Sequence, residues 1–93
     1  MVLPVDYRLL SAKKRKEIRE EYILIQDGSC FYCREDLSGE PATRVSQVPI
    51  NWKLFPEGFL RNPIHLQHSH TTGLTEGAVH AYCNAIMWQV EGR

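Results

Sequence analysis

Two short pairs of potential metal ligands stand out in this chain, Cys30-x-x-Cys33 and His80-x-x-Cys83. Two residues between ligands allow one tight turn to bring both side chains onto a single ion, and structural zinc sites are closed tetrahedra of such donors. If the second pair begins a helix, its two ligands lie on the same helix face. The spacing therefore predicts one structural Zn²⁺ bound by Cys30, Cys33, His80 and Cys83.

Other interpretations of these residues stay open at this point. The cysteines would also serve as buried apolar side chains with His80 as a hydrogen-bonded core histidine, and a lone Cys-x-x-Cys pair is also typical of a redox dithiol. Three cysteines are an odd number, so a framework of disulfides alone would leave one over. The use of every cysteine in two equally spaced pairs favours zinc, and small domains often need such a metal to be stable.

A second group of residues has the chemistry of a hydrolase. His65, His68 and His70 lie close together, and Asn84 directly follows Cys83. On a strand, His68 and His70 would point to one face and His65 to the other. A histidine is the usual general base at neutral pH, and an amide oxygen is a hard ligand for Mg²⁺ or Mn²⁺. Together they would suffice for phosphodiester hydrolysis; the alternative is that they are ordinary polar residues of the surface or core.

A helix is expected before the first cysteine pair. Ser11 is a good N-cap, Asp27-Gly28 is a good stop, and the predicted helix therefore runs over about 11–26. Ile18, Tyr22 and Ile25 recur at helical spacing and are expected to face the core.

The first turns of this helix carry the run Lys13, Lys14, Arg15 and Lys16. Positive charge is disfavoured there by the helix dipole. Contact with DNA phosphate would offset that cost, so these four are candidate DNA-binding residues. A solvated basic face is the alternative.

The rest of the chain predicts a strand-rich centre and a final helix. Alternating apolar residues predict a first strand, and the apolar residues that follow a turn predict a second strand. The polar segment and the mixed segment that precede these strands predict no regular element. The predicted order is a surface loop over 34–47, no assigned element over 48–59, strands over 63–69 and 76–79, and a helix over 80–90 with Ile86, Met87 and Val90 at helical spacing.

Length and composition indicate one domain, 1–93, with the zinc-pinned part over about 28–90. The chain has 43% hydrophobic and 24% charged residues and a net charge of zero, which argues against strong, non-specific nucleic-acid binding. The N-terminus lacks the pattern of a secretory signal, and the longest uncharged stretch, 77–90, is too short to span a bilayer. We therefore expect a cytoplasmic protein that does not enter membranes.

The motifs together resemble those of HNH nucleases, in particular the phage recombination endonuclease VII branch. The resemblance is carried by the Cys-x-x-Cys pair and by the segments 65–73 (HLQHSHTTG) and 77–85 (GAVHAYCNA). It implies the ββα-metal fold, an α+β hairpin and helix pinned by zinc, here preceded by an N-terminal helix. It covers about 28–88 and is most specific over 64–85.

The resemblance also implies individual roles. His68 matches the general base and Asn84 a metal-binding asparagine, while His65 and His70 match flanking histidines that shape the site and meet the scissile phosphate. His80 stands where many relatives have a fourth cysteine, a change that zinc tolerates.

Two departures bear on function. Gln67 stands where the family usually has an aspartate that binds the catalytic metal, so Mg²⁺ affinity should fall, and DNA phosphate or a softer ion such as Mn²⁺ or Ni²⁺ would compensate. The sequence also stops at Arg93, before the long helical part with which junction-resolving relatives dimerise, so Holliday-junction specificity is not expected.

The sequence therefore predicts a metal-dependent DNA endonuclease with little sequence preference. The alternative is a catalytically weak or inactive zinc module that binds DNA or a protein partner. A homodimer or a larger phage assembly is left open, and a phage origin would place the protein in the host cytoplasm.

Overall fold

The computed structural model describes residues 2–91; Met1, Gly92 and Arg93, the ends of the predicted domain, lie outside the described residues. Its elements are helices α1, α2 and α3 and the strands β1 and β2 of one antiparallel sheet. Their bounds are α1 Ala12–Ile25, α2 Thr43–Ser46, β1 Ile64–His68, β2 Thr75–His80 and α3 Ala81–Glu91, with short 3₁₀ turns at Tyr7–Leu9 and Trp52–Leu54. The molecule is thus a small mixture of helices and a two-stranded sheet, as the α+β class predicts.

Helix α1 begins and ends where the sequence predicts. The Ser11 hydroxyl accepts a hydrogen bond from the Lys14 N–H, 3.2 Å long, which satisfies one of the free amides of the first turn. Ile18 and Tyr22 are buried, as expected, but the prediction for Ile25 is wrong because its side chain is 65% exposed. At this end of α1 it is the neighbouring Gln26 that turns to the sheet.

The hairpin of β1 and β2 is the element that positions most of the candidate residues. Ile64 pairs with His80 and His68 with Thr75, with a register shift between Gln67 and His68. The predicted strands are confirmed, β1 within one residue at each end and β2 one residue longer at each end. The N-terminal segment joins the hairpin near its turn, since the Tyr7 N–H donates to the Gly73 carbonyl over 2.8 Å.

Gln26 joins α1 to β2 through the backbone of Ala78. Its Oε1 accepts from the Ala78 N–H at 2.8 Å, and its Nε2 donates to the Ala78 carbonyl at 2.9 Å. This close approach requires glycine at the preceding position, because a Cβ on Gly77 would lie 2.8 Å from Gln26 Oε1 and 2.8 Å from the Phe31 ring. These two hydrogen bonds of the Gln26 side chain hold the segment that precedes Cys30 against β2.

The long connection between Cys33 and β1 is more ordered than predicted. The segment expected to be a surface loop contains α2, and its residues Leu37 and Val45 are buried in the core. Beyond α2, the Tyr82 hydroxyl donates to the Val48 carbonyl at 2.8 Å, and Gln89 bonds the backbone of 49–51. Side chains of α3 therefore hold this segment in place. Local periodicity in the sequence does not reveal this contact.

Helix α3 follows β2 without a loop, so His80 ends the strand instead of beginning the helix. The helix predicted from the spacing of Ile86, Met87 and Val90 is confirmed; Ile86 and Met87 are buried, whereas Val90 is 60% exposed. The buried apolar residues of α1, β1, β2 and α3 form one core cluster. Within the described part of the chain, no helix has the length and apolar character needed to cross a membrane.

Candidate metal centre and histidine pocket

The four predicted zinc ligands come together where β2 meets α3. The sulfur atoms of Cys30, Cys33 and Cys83 and a ring nitrogen of His80 all lie within 4.8 Å of one another, and all four side chains are buried. Nδ1 of His80 is 3.5 Å from Sγ of Cys33 and 3.6 Å from Sγ of Cys83. A tetrahedral zinc with ordinary bond lengths holds a nitrogen and a sulfur about 3.6 Å apart. This Cys₃His group could therefore hold a zinc ion.

The first two ligands are presented by a tight turn. The Cys30 N–H donates to the Glu35 carbonyl at 2.8 Å, and the Arg34 N–H donates to the Cys30 carbonyl at 3.0 Å. Inside this turn the amides of Tyr32 and Cys33 point at Sγ of Cys30, at 3.4 and 3.5 Å. Amide donors around a sulfur favour the thiolate, which is the form that binds a metal.

The orientation of His80 is fixed from its far side. Its Nε2 donates to the Asp36 carbonyl over 2.8 Å. Because a carbonyl only accepts, the hydrogen of the neutral ring is on Nε2 and the lone pair of Nδ1 faces the cysteines. His80 is thus held as an Nδ1 ligand before any ion binds.

The thiols of Cys30 and Cys83 affect each other's protonation. Their hydrogen bond is the main cause that lowers the pKa of Cys30 to about 4, and the same contact raises the pKa of Cys83 above its ordinary value. Since a cysteine that binds a metal must be deprotonated, zinc binding would release protons from the thiols, and affinity for zinc would fall at low pH.

The predicted catalytic residues line a separate cavity of about 690 Å³ between α1, β1, α3 and the segment 54–62. The cavity brings together all five of them: His65, Gln67, His68, His70 and Asn84. His65 and His68, which are expected on opposite faces of β1, both border this cavity. Consecutive residues of that strand, 64–68, all contribute to its lining.

The charge of this pocket is one-sided. Arg15, Lys16 and Arg19 line it, and no acidic side chain does among the described residues. Lys13 and Lys14 lie outside the lining, and Lys14 pairs instead with Glu17 at 3.2 Å. Sequence reasoning missed Arg19, although its spacing of four from Arg15 places both on one helix face.

Tyr7 holds the His68 ring, a contact that sequence reasoning also missed. The Tyr7 and His68 rings stack with centroids 3.9 Å apart and planes 5° apart, and the guanidinium carbon of Arg15 lies 3.9 Å from the centroid of the Tyr7 ring. Burial is the main cause that lowers the pKa of His68, with further contributions from the nearby charges of His70 and Arg15. His68 is therefore neutral at pH 7 and able to accept a proton.

His65 sets the orientation of Asn84. Nε2 of His65 donates to the Phe59 carbonyl at 3.0 Å, so the neutral ring accepts at Nδ1, where Asn84 Nδ2 donates over 3.0 Å. Burial lowers the pKa of His65 and keeps it in this neutral form. The amide nitrogen of Asn84 is thus committed to His65, and its oxygen is turned away from that ring.

Gln67 is 2% exposed, the most enclosed of the five. Its Nε2 donates to the His68 carbonyl at 2.9 Å and to a carboxylate oxygen of Glu76 at 3.3 Å. The amide oxygen of Gln67 is then the atom of this side chain that could bind a cation. Asn84 and Gln67 could each offer a neutral oxygen to a cation in the pocket, a weak set for Mg²⁺ without further charge.

Comparison of the chain with protein-family models, with curated proteins and with solved structures found no match.

Proposed function

We propose that this protein is a metal-dependent DNA endonuclease of the HNH type, which hydrolyses phosphodiester bonds with little sequence preference. The observation that carries the proposal is the pocket itself. Three cationic side chains of α1 line it, no carboxylate does among the described residues, and the half-buried His68, whose pKa is lowered, lies within it. Such a cavity suits a phosphate ester, and the hairpin followed by a helix beside a Cys₃His group is the arrangement expected of this class.

His68 is the proposed general base. With its pKa lowered it is unprotonated at neutral pH, and its stacking on Tyr7 restricts the ring to one orientation. His68 would take a proton from the attacking water, while Arg15 and Lys16 hold the phosphate that the water attacks. His70, whose ring centroid is 5.0 Å from that of His68, would meet the same phosphate.

Asn84 and Gln67 are the proposed ligands of a catalytic Mg²⁺, Mn²⁺ or Ni²⁺. Such an ion, when bound, would stabilise charge on the phosphate and on the leaving oxygen. His65 contributes by fixing the amide of Asn84, so that the oxygen is the atom offered to the cation. The zinc group fixes the start of α3 and with it Asn84, the residue next to Cys83.

The lack of a carboxylate in the lining favours a second candidate function. Mg²⁺ is usually held with at least one carboxylate, and the pocket offers only neutral amides and imidazoles. The second candidate is a zinc module that binds DNA without cutting it, or binds a protein partner. Such a module would need the cations of α1 but neither His68 nor a catalytic metal ion.

Plasmid nicking separates these two functions. Zinc-loaded protein is incubated with supercoiled plasmid and Mg²⁺, Mn²⁺ or Ni²⁺, and wild type is compared with His68→Ala. The endonuclease proposal expects nicking in at least one metal and a loss of roughly 10²–10⁴-fold in His68→Ala. No nicking above that of His68→Ala in any metal would refute it.

Binding to DNA gives the matched control. Lys16→Ala, which removes a cation from the pocket, should weaken binding and reduce its salt dependence by about one phosphate contact. Lys13→Ala removes an equal charge from the same helix outside the lining and should have the smaller effect. Equal effects of the two changes would mean that the basic run acts as a whole and the pocket has no special part in binding.

A further inference from the structure

One wall of the histidine pocket is aromatic, which phosphate hydrolysis by itself does not require. Phe55, Phe59 and Trp88 line it. The ring centroids of Phe55 and Trp88 are 5.4 Å apart, and those of Phe55 and Phe59 are 4.8 Å apart. Trp88 is nevertheless 44% exposed. The wall therefore presents accessible ring surface beside the candidate catalytic residues.

This wall is held in a fixed position. Trp88 is part of α3. Two other side chains of this helix, Tyr82 and Gln89, form hydrogen bonds with the backbone of 48–51, the segment that precedes Phe55. The two aromatic residues thus come from parts of the chain that are far apart in sequence but are joined by side-chain to backbone hydrogen bonds. A ring surface that is ordered before binding loses less entropy when it contacts a ligand.

The wall also adjoins the proposed reaction site. Trp88 lies one turn after Asn84 on α3, so both project from one face of the helix. The ring centroid of Trp88 is 6.3 Å from that of His70, which in turn is 5.0 Å from that of His68. The cations of α1 line the same cavity. A molecule that spans the pocket would meet both positive charge and aromatic surface, which are complementary to a phosphate and to a nucleobase.

We propose that the pocket takes an unpaired nucleotide of single-stranded DNA, with its base stacked on Trp88 and Phe55 and its phosphate between His68 and the α1 cations. This inference rests on the proposed function of the same pocket and adds the class of substrate. In a duplex both faces of a base are covered by its neighbours, so only an unpaired or extruded base can stack on a side chain. The cations bind any phosphate chain, and the aromatic wall provides the preference for single strands.

Fluorescence of Trp88 tests the stacking directly. The chain has two tryptophans, so Trp52→Phe leaves Trp88 as the reporter. The zinc-loaded protein, without a second metal, is titrated with oligothymidine, with an abasic oligomer of equal length and charge, and with a duplex of equal length. Oligothymidine should quench Trp88 and bind at least about tenfold more tightly than the abasic oligomer, since one base stacked on an aromatic ring accounts for such a factor.

A pair of matched variants tests the same point without the reporter. Trp88→Ala should lower the ratio of single-strand to duplex affinity by about tenfold, and Trp88→Phe should restore most of it. Trp52 does not line this pocket but packs on Phe55 with ring centroids 5.8 Å apart, so the control is Trp52→Phe, which keeps a ring in that position and should leave the ratio as in wild type. Bound zinc and circular dichroism verify that each variant is folded.

Equal binding of the thymidine and abasic oligomers, or a ratio that Trp88→Ala does not change, would overturn the inference even if the protein nicks plasmid. So would tighter binding of the duplex than of the single strand. If oligothymidine quenches Trp88 as expected but no metal supports cleavage, the stacking site stands and the endonuclease proposal fails.

Discussion

The zinc cluster and the histidine pocket are built on consecutive residues of α3, Cys83 and Asn84, yet they have opposite character. The four ligands of the cluster are buried and lie within 4.8 Å of one another. The pocket is a cavity of about 690 Å³ with cations on one wall and exposed aromatic rings on another. One site is a closed set of ligands that could hold a single ion, and the other has room for a much larger molecule.

This difference indicates that stability and ligand binding depend on separate groups of residues in this short chain. A closed set of soft ligands suits a structural zinc, which adds folding free energy and offers no position to a substrate. An open pocket lined by histidines and amides adds less stability, because it keeps some polar atoms, such as the amide oxygens of Asn84 and Gln67, for a ligand. Changes in the cluster should therefore act on folding, and changes in the pocket on binding and catalysis.

The largest effect is expected in the cluster. Cys83→Ser should abolish zinc binding and unfold the domain, a loss on the order of the whole folding free energy, about 5 kcal/mol or more. Metal content and the circular dichroism of the purified variant would measure this. His70→Ala, which changes the pocket alone, should remain folded with zinc bound. A folded, zinc-loaded Cys83→Ser would contradict the ligand assignment.

In the pocket, Gln67→Asp should sharpen the proposed catalytic metal site. A carboxylate is a much better ligand for Mg²⁺ than an amide, so the Mg²⁺ concentration for half-maximal nicking should fall by roughly tenfold. Gln67→Asn keeps a neutral amide on the shorter side chain and serves as the control. An active variant with an unchanged Mg²⁺ requirement would show that this position does not touch the metal.

A smaller effect is expected at Tyr7. Stacked aromatic pairs contribute about 0.5–1.5 kcal/mol, so Tyr7→Ala should free the His68 ring and lower the nicking rate by about threefold to tenfold. Tyr7→Phe keeps the stacked ring and should retain most of the rate, while both variants keep their zinc. Equal losses in the two variants would assign the effect to the hydroxyl and not to the ring.

The smallest effect concerns the pH dependence of His68. Since its pKa is lowered, the ring takes up a proton only below its ordinary value of 6.5, so the base form and the nicking rate persist at neutral pH and decline as the pH falls below that value. As the pH decreases, the ring of the unfolded chain takes up a proton before that of the folded protein does. The free energy of unfolding therefore also decreases as the pH falls below 6.5. Titration of the ring signals by NMR, with zinc alone bound, would give the midpoint.

Arg15→Gln removes one of the charges that lower this pKa and should move the midpoint back towards 6.5. A wild-type midpoint at or above 6.5 would contradict the lowered pKa.

The amino-acid sequence by itself determined the zinc group and the framework around it. Two pairs of ligands with the spacing of a tight turn can meet at one ion almost regardless of the rest of the fold, and the two long helices and the two strands follow from local caps, turns and periodicity. Ser11, the Asp27-Gly28 stop and the alternation in 63–69 are such local signals. The prediction that Ile25 faces the core was wrong because periodicity does not show where a helix runs past its neighbour.

Only the tertiary structure decided the composition of the pocket. Tyr7, Arg19, Phe55 and Trp88 come from four separate parts of the chain, and no short-range pattern links them. Docking of the N-terminal segment on the hairpin places Tyr7 on His68, and hydrogen bonds from α3 place the aromatic segment beside Asn84. A metal site is encoded by spacing because its ligands must meet at a point, whereas a substrate pocket is a surface and depends on how every element packs.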